Sequence, residues 1–253
     1  MGKSLQEALS GFQAEGEARR SATRWERMQA SAWLMRKVGK VLVLGTQAVG
    51  KTTFWNAMQG RVALRAEPTG TFRKKATPAI VNADSEPVVV HLRPDVGGGL
   101  DARNLYWENA FLTAQVVVYI LNMPLYLGRG RPSDQVDSDA WMAKAATLRK
   151  DVNEQLSDIA TWQKNRGRPW YWPVKRTPKL LLLGSWCDAL PEWSEGGEAL
   201  DGLHDEFEGH LNYKNVRGSL VQQGLRPDLL LGSLATPASR TAFIDKVSAW
   251  MLR

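Results

Sequence analysis

Two glycines, a lysine and a threonine at fixed spacing could bind phosphate in this chain. Gly45-Thr46-Gln47-Ala48-Val49-Gly50-Lys51-Thr52 reads G-x-x-x-x-G-K-T. It follows Val41-Leu42-Val43-Leu44, an apolar run with β-branched residues, and leads into Phe54-Trp55-Asn56-Ala57-Met58 at helical spacing, so the order is strand, loop, helix. In such a loop successive backbone N–H groups, here from Ala48 and Val49 to Thr53, point inward at phosphate oxygens. Glycine serves where the chain takes conformations closed to a side chain. Gly45 and Gly50 would supply those positions, Lys51 would reach the terminal phosphates, and the Thr52 hydroxyl would ligate Mg2+. The spacing predicts binding of a nucleoside triphosphate.

A second group stands at Arg93-Pro94-Asp95-Val96-Gly97-Gly98-Gly99. Three glycines suit a flexible turn. Behind a phosphate loop, an Asp at a strand end followed by Gly has a more specific use: the carboxylate holds a water on Mg2+ and a glycine N–H meets the terminal phosphate. Other chemistries find no support. His91, His204 and His210 show no metal-ligand spacing with Cys187, and no Ser-His-Asp or paired-carboxylate arrangement suggests a hydrolase other than one for nucleotides.

The elements that must carry these groups alternate. Residues 1 to 38 read as mostly helical, with Leu5, Leu9 and Phe12, then Trp25, Met28, Ala32 and Met35 at three- or four-residue intervals. Arg61 to Ala76, with Pro68-Thr69-Gly70-Thr71-Phe72, is a polar surface loop. Thr77 to Asn82 and Pro87 to Leu92 pattern as a β-hairpin. Asp101 to Phe111 is helical in pattern and Ala114 to Leu121 a buried strand. Pro124 to Ser138 reads as a loop and Asp139 to Gln163 as a long helix capped by Ser138 or Asp139. The strand Lys179 to Leu183 ends at Gly184. A helix over Glu195 to Leu211, a second over Val216 to Gln223, the strand Leu229 to Gly232 and a helix from Ser239 to Leu252 complete the chain. In that last helix Ala242, Ile244, Val247, Trp250 and Met251 fall largely on one side. This order predicts an α/β fold, a mostly parallel sheet with helices on both faces.

Composition bounds the reading. A chain of 253 residues holds one large α/β domain with insertions, and its 43% hydrophobic fraction allows a substantial core. No run approaches the ~20 apolar residues that span a bilayer. Met1 to Gln6 precede no apolar signal region, and the single Cys187 excludes an internal disulfide framework, so a reducing cytoplasm is expected. The +7 balance could favour nucleic acid or anionic lipid, but no nucleic-acid motif appears. Residues 1 to 40 hold eight Lys/Arg against four Asp/Glu, so a peripheral membrane contact would be sought in that basic helix, whose Trp/Met stripe could equally pack on the domain.

In order along the chain, GTQAVGKTT, PTGTF, a hairpin, DVGGG followed by LDARNLYWENAF, a strand, LLLLGSWCD and GSLAT resemble a Ras-superfamily small GTPase, most of all its Arf branch, from about Gly39 to Leu252. The resemblance implies a three-layer P-loop NTPase fold, a Ras-like G domain over residues 39–253 with a mostly parallel six-stranded sheet. Insertions fall near 124–138 and 164–178, and residues 1–38 form an N-terminal helical extension. It implies GTP or GDP with Mg2+ as ligands. Lys51 and Thr52 would hold phosphate and metal, Thr69 would sense the γ-phosphate through Mg2+, Asp95 would be the Mg2+-linked aspartate, and Gly98 would hydrogen-bond the γ-phosphate. Asp188 would accept from guanine N1–H and the 2-amino group, which adenine cannot offer, and the Ala235 N–H would meet the guanine oxygen.

The chain also departs from the family. Ser185-Trp186-Cys187-Asp188 stands where the family has N-K-x-D. Ser185 has a shorter polar reach than Asn, Trp186 could stack on the purine or simply pack, and Cys187 could be a small buried filler. Gly99 stands where a water-orienting glutamine follows the switch glycine. Either hydrolysis is very slow and a partner supplies the missing groups, or Gln47 in the phosphate loop partly substitutes; the first is expected, because a loop side chain approaches from the wrong side for in-line attack. Trp170 and Trp172, flanked by Pro169, Pro173, Arg168, Lys175 and Arg176, suit either a basic aromatic docking patch or aromatic pins for the long helix.

The expected function is a nucleotide-dependent switch that hydrolyses GTP slowly and binds a protein effector or regulator through residues 61–76 and 95–111. A pseudo-GTPase scaffold without turnover is the alternative, and an ATPase a third.

Overall fold

A computed structural model of the chain describes residues 40–58, 77–83, 86–92, 106–130, 137–166, 177–190 and 198–252. The strands are β1 (Lys40–Gly45), β2 (Thr77–Ala83), β3 (Glu86–Leu92), β4 (Val116–Asn122), β5 (Lys179–Ser185) and β6 (Pro227–Leu231). They lie in one sheet in the order β2-β3-β1-β4-β5-β6. Only β2 and β3 pair antiparallel; β1 runs parallel to β3 and β4, and β4, β5 and β6 continue parallel. Side-chain packing is described in full for four strands, β1, β4, β5 and β6.

The helices are α1 (Lys51–Met58), α2 (Glu108–Thr113), α3 (Met123–Leu127), α4 (Ser138–Asn165), α5 (Glu198–Gly209), α6 (Leu211–Gln222) and α7 (Pro237–Leu252). The inner strands are apolar at nearly every position because both faces of the sheet are covered. One face carries Val41, Val43, Val116, Val118, Ile120, Leu181 and Leu183, buried against Phe54 and Trp55 of α1 and Phe243, Ile244 and Val247 of α7. The residues between them, Leu42, Leu44, Val117, Tyr119, Leu121, Leu180 and Leu182, face the other way onto Val152, Leu156 and Ile159 of α4 with Phe207, Tyr213 and Leu220 of α5 and α6. Each fully buried aliphatic or aromatic side chain of this kind contributes roughly 1.5–3 kcal/mol. Within the second core, the Tyr119 hydroxyl donates to Gln155 Oε1 at 2.9 Å, so the polar atoms of β4 and α4 satisfy one another.

Several boundaries differ from the sequence expectation. The long helix is capped by Asp137, whose carboxylate accepts from the Asp139 N–H at 3.2 Å, rather than by Ser138 or Asp139, and it runs on to Asn165. Part of the 124–138 loop is α3: the Asn122 side chain accepts from the Leu125 N–H at 3.0 Å, Pro124 fits the first helical turn, and Gly128 closes it in the left-handed conformation. The last strand begins at Pro227, two residues before Leu229. α6 begins at Leu211 instead of Val216, the two helices being split at His210 beside the expected Gly209. In α7 the buried face is Phe243, Ile244, Val247 and Met251, whereas Ala242 is exposed and Trp250 half-buried. Trp250 is drawn aside by its indole N–H, which donates to Asp228 Oδ2 at 2.8 Å. The helical extension expected over 1–38, the segment holding Trp170 and Trp172, and all of 61–76 lie outside the described residues.

Candidate functional site

β1 reaches the C-terminal edge of the sheet at Gly45, in register with Ile120 of β4. The backbones approach so closely that a Cβ at Gly45 would lie 2.2 Å from the Ile120 carbonyl oxygen, and φ is +142°, where a side chain is strained. The loop then turns through Ala48 (φ +60°) and Gly50 (φ +95°) before the Phe54 N–H bonds the Gly50 carbonyl at 2.8 Å and α1 begins. Val49 is buried in the core under α1 and α7, which anchors the middle of the loop, while Gln47 and Ala48 are exposed on its rim.

Lys51 is only 6% exposed, and its ammonium donates to the Gly45 carbonyl at 2.9 Å and to the Thr46 carbonyl. The cation is therefore folded back across the start of its own loop. Thr52 is buried beside it, Thr53 is half-buried, and Thr46 Oγ1 is buried with no hydrogen-bond partner among the described residues. A lysine held this deep needs acceptors that offset its lost hydration, and an anion at the loop would be a stronger acceptor than a peptide carbonyl.

The second wall comes from the ends of β5 and β6. Ser185 is fully buried, its hydroxyl 3.1 Å from the Val49 carbonyl and 3.0 Å from the Leu121 carbonyl. One hydroxyl proton serves one of these acceptors at a time. Ser185 thus ties the loop to the sheet, and at zero exposure it sits beneath the surface that a ligand would touch.

Trp186 follows with φ +65°, an uncommon conformation for a bulky residue, and is 46% exposed. Ordinary core packing is excluded for it. Cys187 is buried, as the filler reading expects. Its Sγ lies 3.5 Å from the Gly184 carbonyl, and burial pushes the thiol up to about 12.

Asp188 is exposed, and its Oδ1 accepts from the Ser233 hydroxyl at 2.5 Å; Ser233 Oγ in turn accepts from the Ala235 N–H at 3.1 Å. The two base-reading residues implied by the resemblance are therefore joined through one serine. Two backbone bonds hold this wall together, Gly232 N–H to the Gly184 carbonyl at 2.9 Å and Cys187 N–H to the Gly232 carbonyl at 3.3 Å. Leu234 stands against the phosphate loop, 3.6 Å from where a Cβ on Gly50 would be. Arg240 of α7 donates through Nε to the Leu234 carbonyl at 3.1 Å and through Nη2 to the Ala235 carbonyl at 3.4 Å. Burial holds its pKa below the usual guanidinium value.

Gly45, Val49, Gly50, Lys51 and Thr52 are thus gathered with Ser185, and Asp188 and Ala235 stand on the adjoining wall. Thr69, Asp95 and Gly98, together with Gly99, lie outside the described residues. Sequence reasoning missed Ser233 and Arg240. Ser233 stands in the GSLAT piece but meets Asp188 45 residues away, and no spacing signal marks Arg240. Among the described residues, no three His, Cys, Asp or Glu side chains converge on a metal position, and no helix is long and apolar enough to cross a membrane.

No family model and no curated protein matches the sequence. Among solved structures, the chain is similar to the Arl6 BBS3 small GTPase from Trypanosoma brucei with bound nucleotide analogue GppNp. The identity is 13%, over 85% of this chain and 98% of that one, with a TM-score of 0.46. At that TM-score no residue role passes from one protein to the other.

Proposed function

We propose that the chain is a guanine-nucleotide-binding switch of the small-GTPase kind, with slow intrinsic hydrolysis. The observation that carries this reading is the Gly45–Thr52 loop, its buried Lys51 ammonium turned onto carbonyls at the end of a parallel strand, beside a wall that exposes the Asp188 carboxylate. Phosphate oxygens would take over acceptance from Lys51, and the loop N–H groups up to Thr53 would share the remaining charge. Asp188 would choose guanine by accepting from N1–H and the 2-amino group, with Trp186 stacked on the ring; the Ala235 N–H, which here donates to the Ser233 hydroxyl, would have to leave or share that bond to reach the base oxygen.

Mg2+ takes hard oxygen ligands, and the Thr52 hydroxyl at the first turn of α1 is one of that kind. Thr52, Thr69 and Asp95 would hold it, and when bound it neutralises charge on the β- and γ-phosphates. Thr69 and Gly98 would order residues 61–76 and 95–111 around the γ-phosphate for a protein effector. The basic segment 1–38 would give a weak contact with anionic membrane from the cytoplasm.

The second reading is a scaffold that binds nucleotide without turnover, favoured by Gly99, which has no side chain to orient water. The decisive experiment is to denature the purified protein, chromatograph the nucleotide released, and titrate GDP, a non-hydrolysable GTP analogue and ATP by calorimetry with Mg2+. Guanine nucleotide retained and bound supports the proposal; binding of ATP alone, or of none, sinks it. Identical partner binding in the GDP and GTP-analogue states would favour the scaffold.

A further inference from the structure

A cleft of about 570 Å3 opens beside β6, at the end of the strands remote from the phosphate loop. Pro178, Leu180, Leu230 and Trp250 give it an apolar floor, and Lys179 and Arg226 stand exposed on its rim. Two contacts from the sheet to α7 preform it: the Trp250 indole N–H donates to Asp228 Oδ2 at 2.8 Å, and Lys179 Nζ lies 3.5 Å from the Met251 carbonyl. Arg226 forms no ion pair among the described residues. β6 is also an edge of the sheet, since it pairs with β5 and no strand lies on its other side among the described residues. The Gly232 N–H bonds the Gly184 carbonyl at 2.9 Å. Backbone direction alternates along a strand, so the amides of Leu230 and Asp228 also turn to β5, while the amide and carbonyl of Leu229 turn outward. Pro227, with no N–H to offer, falls on the same outward side, where a sheet tolerates proline.

We propose that this edge binds an extended acidic segment of a partner protein. The segment pairs its backbone with Leu229, sets an apolar side chain in the cleft over Leu230 and Trp250, and brings carboxylates on the same face to Arg226 and Lys179. All four contacts lie on one side of the sheet, because Arg226 alternates with Asp228 and Leu230, and Lys179 with Leu181. Charge decides the occupant. Two cations face one carboxylate, Asp228, and that carboxylate already accepts from the indole. A second copy of this chain carries the same +7 excess and is repelled. The surface shares no residue with the proposed nucleotide site, so neither stands or falls with the other.

The test is fluorescence anisotropy on the full chain, at physiological ionic strength, with the labelled peptide Glu-Thr-Val-Thr-Glu. Its valine and both glutamates share one face in either strand direction. The controls are Lys-Thr-Val-Thr-Lys, and the acidic peptide N-methylated at its valine and the following threonine, which blocks backbone pairing on either side without changing charge. The acidic peptide should bind about tenfold more tightly than either control. Arg226→Glu should weaken it about tenfold, and Lys150→Glu, an equal charge change at an exposed position of α4, less than about twofold. The control peptides leave the protein unaltered, so the result does not depend on how well Arg226→Glu folds. A control peptide that binds as well as the acidic one, equal weakening by Lys150→Glu and Arg226→Glu, or no binding at all overturns the proposal. So does a dimer in sedimentation that Arg226→Glu dissociates, which would give the edge to a second copy.

Discussion

Ser185 and Val49 stand 136 residues apart in the chain and 3.1 Å apart in space, hydroxyl to carbonyl. This contact fixes the height of the phosphate loop over the sheet. Ser185→Ala removes the one buried proton that the Val49 and Leu121 carbonyls share, which should cost about 1 kcal/mol of stability and loosen GDP binding several-fold. Urea melts and calorimetry on the same preparation check it; an unchanged Kd would show that the loop holds itself.

Lys51→Ala should abolish tight nucleotide binding. The expected rise in Kd is about 100-fold or more, the worth of one or two charge-assisted hydrogen bonds at roughly 1.5–3 kcal/mol each. Calorimetric titration of GDP with Mg2+ reads it directly.

Trp186 separates stacking from structure. Glycine at φ +65° removes backbone strain of about 1 kcal/mol, so Trp186→Gly should raise the melting midpoint. If the indole stacks on the purine, the same variant binds GDP about 3- to 10-fold more weakly. Gain of stability without loss of affinity would remove Trp186 from the site.

Intrinsic hydrolysis should be slow, and Gln47→Ala should leave it slow. Gln47 is exposed on the rim of the loop and Gly99 offers no side chain to water. Single-turnover assays decide it; rapid unaided GTP hydrolysis that survives Gln47→Ala refutes both accounts of the missing glutamine.

Cys187 gives a pH prediction. Burial raises its thiol from 9.0 to about 12, opposed by the Gly232 backbone hydrogen bond and assisted by the nearby Asp188 charge. The folded state therefore keeps its proton where the unfolded chain has lost it. The stabilisation is fully present below pH 9 and declines as pH rises from 9 towards 12, by at most about 1.4 kcal/mol per unit. Denaturant melts at pH 8 and pH 10 should show the decline, and Cys187→Ala should remove it. The native thiol should stay inert to alkylation at pH 8 and react once the protein unfolds.

The phosphate loop was legible because its constraints are local: Gly45, Gly50, Lys51 and Thr52 are specified by neighbours within eight positions. The two-faced sheet was equally plain in the unbroken apolar runs of β1, β4 and β5. What the sequence hid depends on contacts between distant segments. Ser233 needs Asp188 across 45 residues, and Arg240 needs a loop whose carbonyls it meets only after α7 has docked. Helix ends were misjudged where one side chain decided them, Asp137 before α4 and Asn122 before α3. In α7, Phe243 stands at helical spacing from Val247 and Met251 and shares their buried face, its ring filling the space beside Gly232 where a Cβ would lie 2.3 Å from it.

Residues of β4 alternate strictly between two separate cores, Val116, Val118 and Ile120 facing one and Val117, Tyr119 and Leu121 the other. Adding or deleting a single residue there would turn each core inside out, sending the Tyr119 hydroxyl into the aliphatic layer beneath α1 and α7. A change of chain length that keeps both cores intact must therefore fall in the connections between strands.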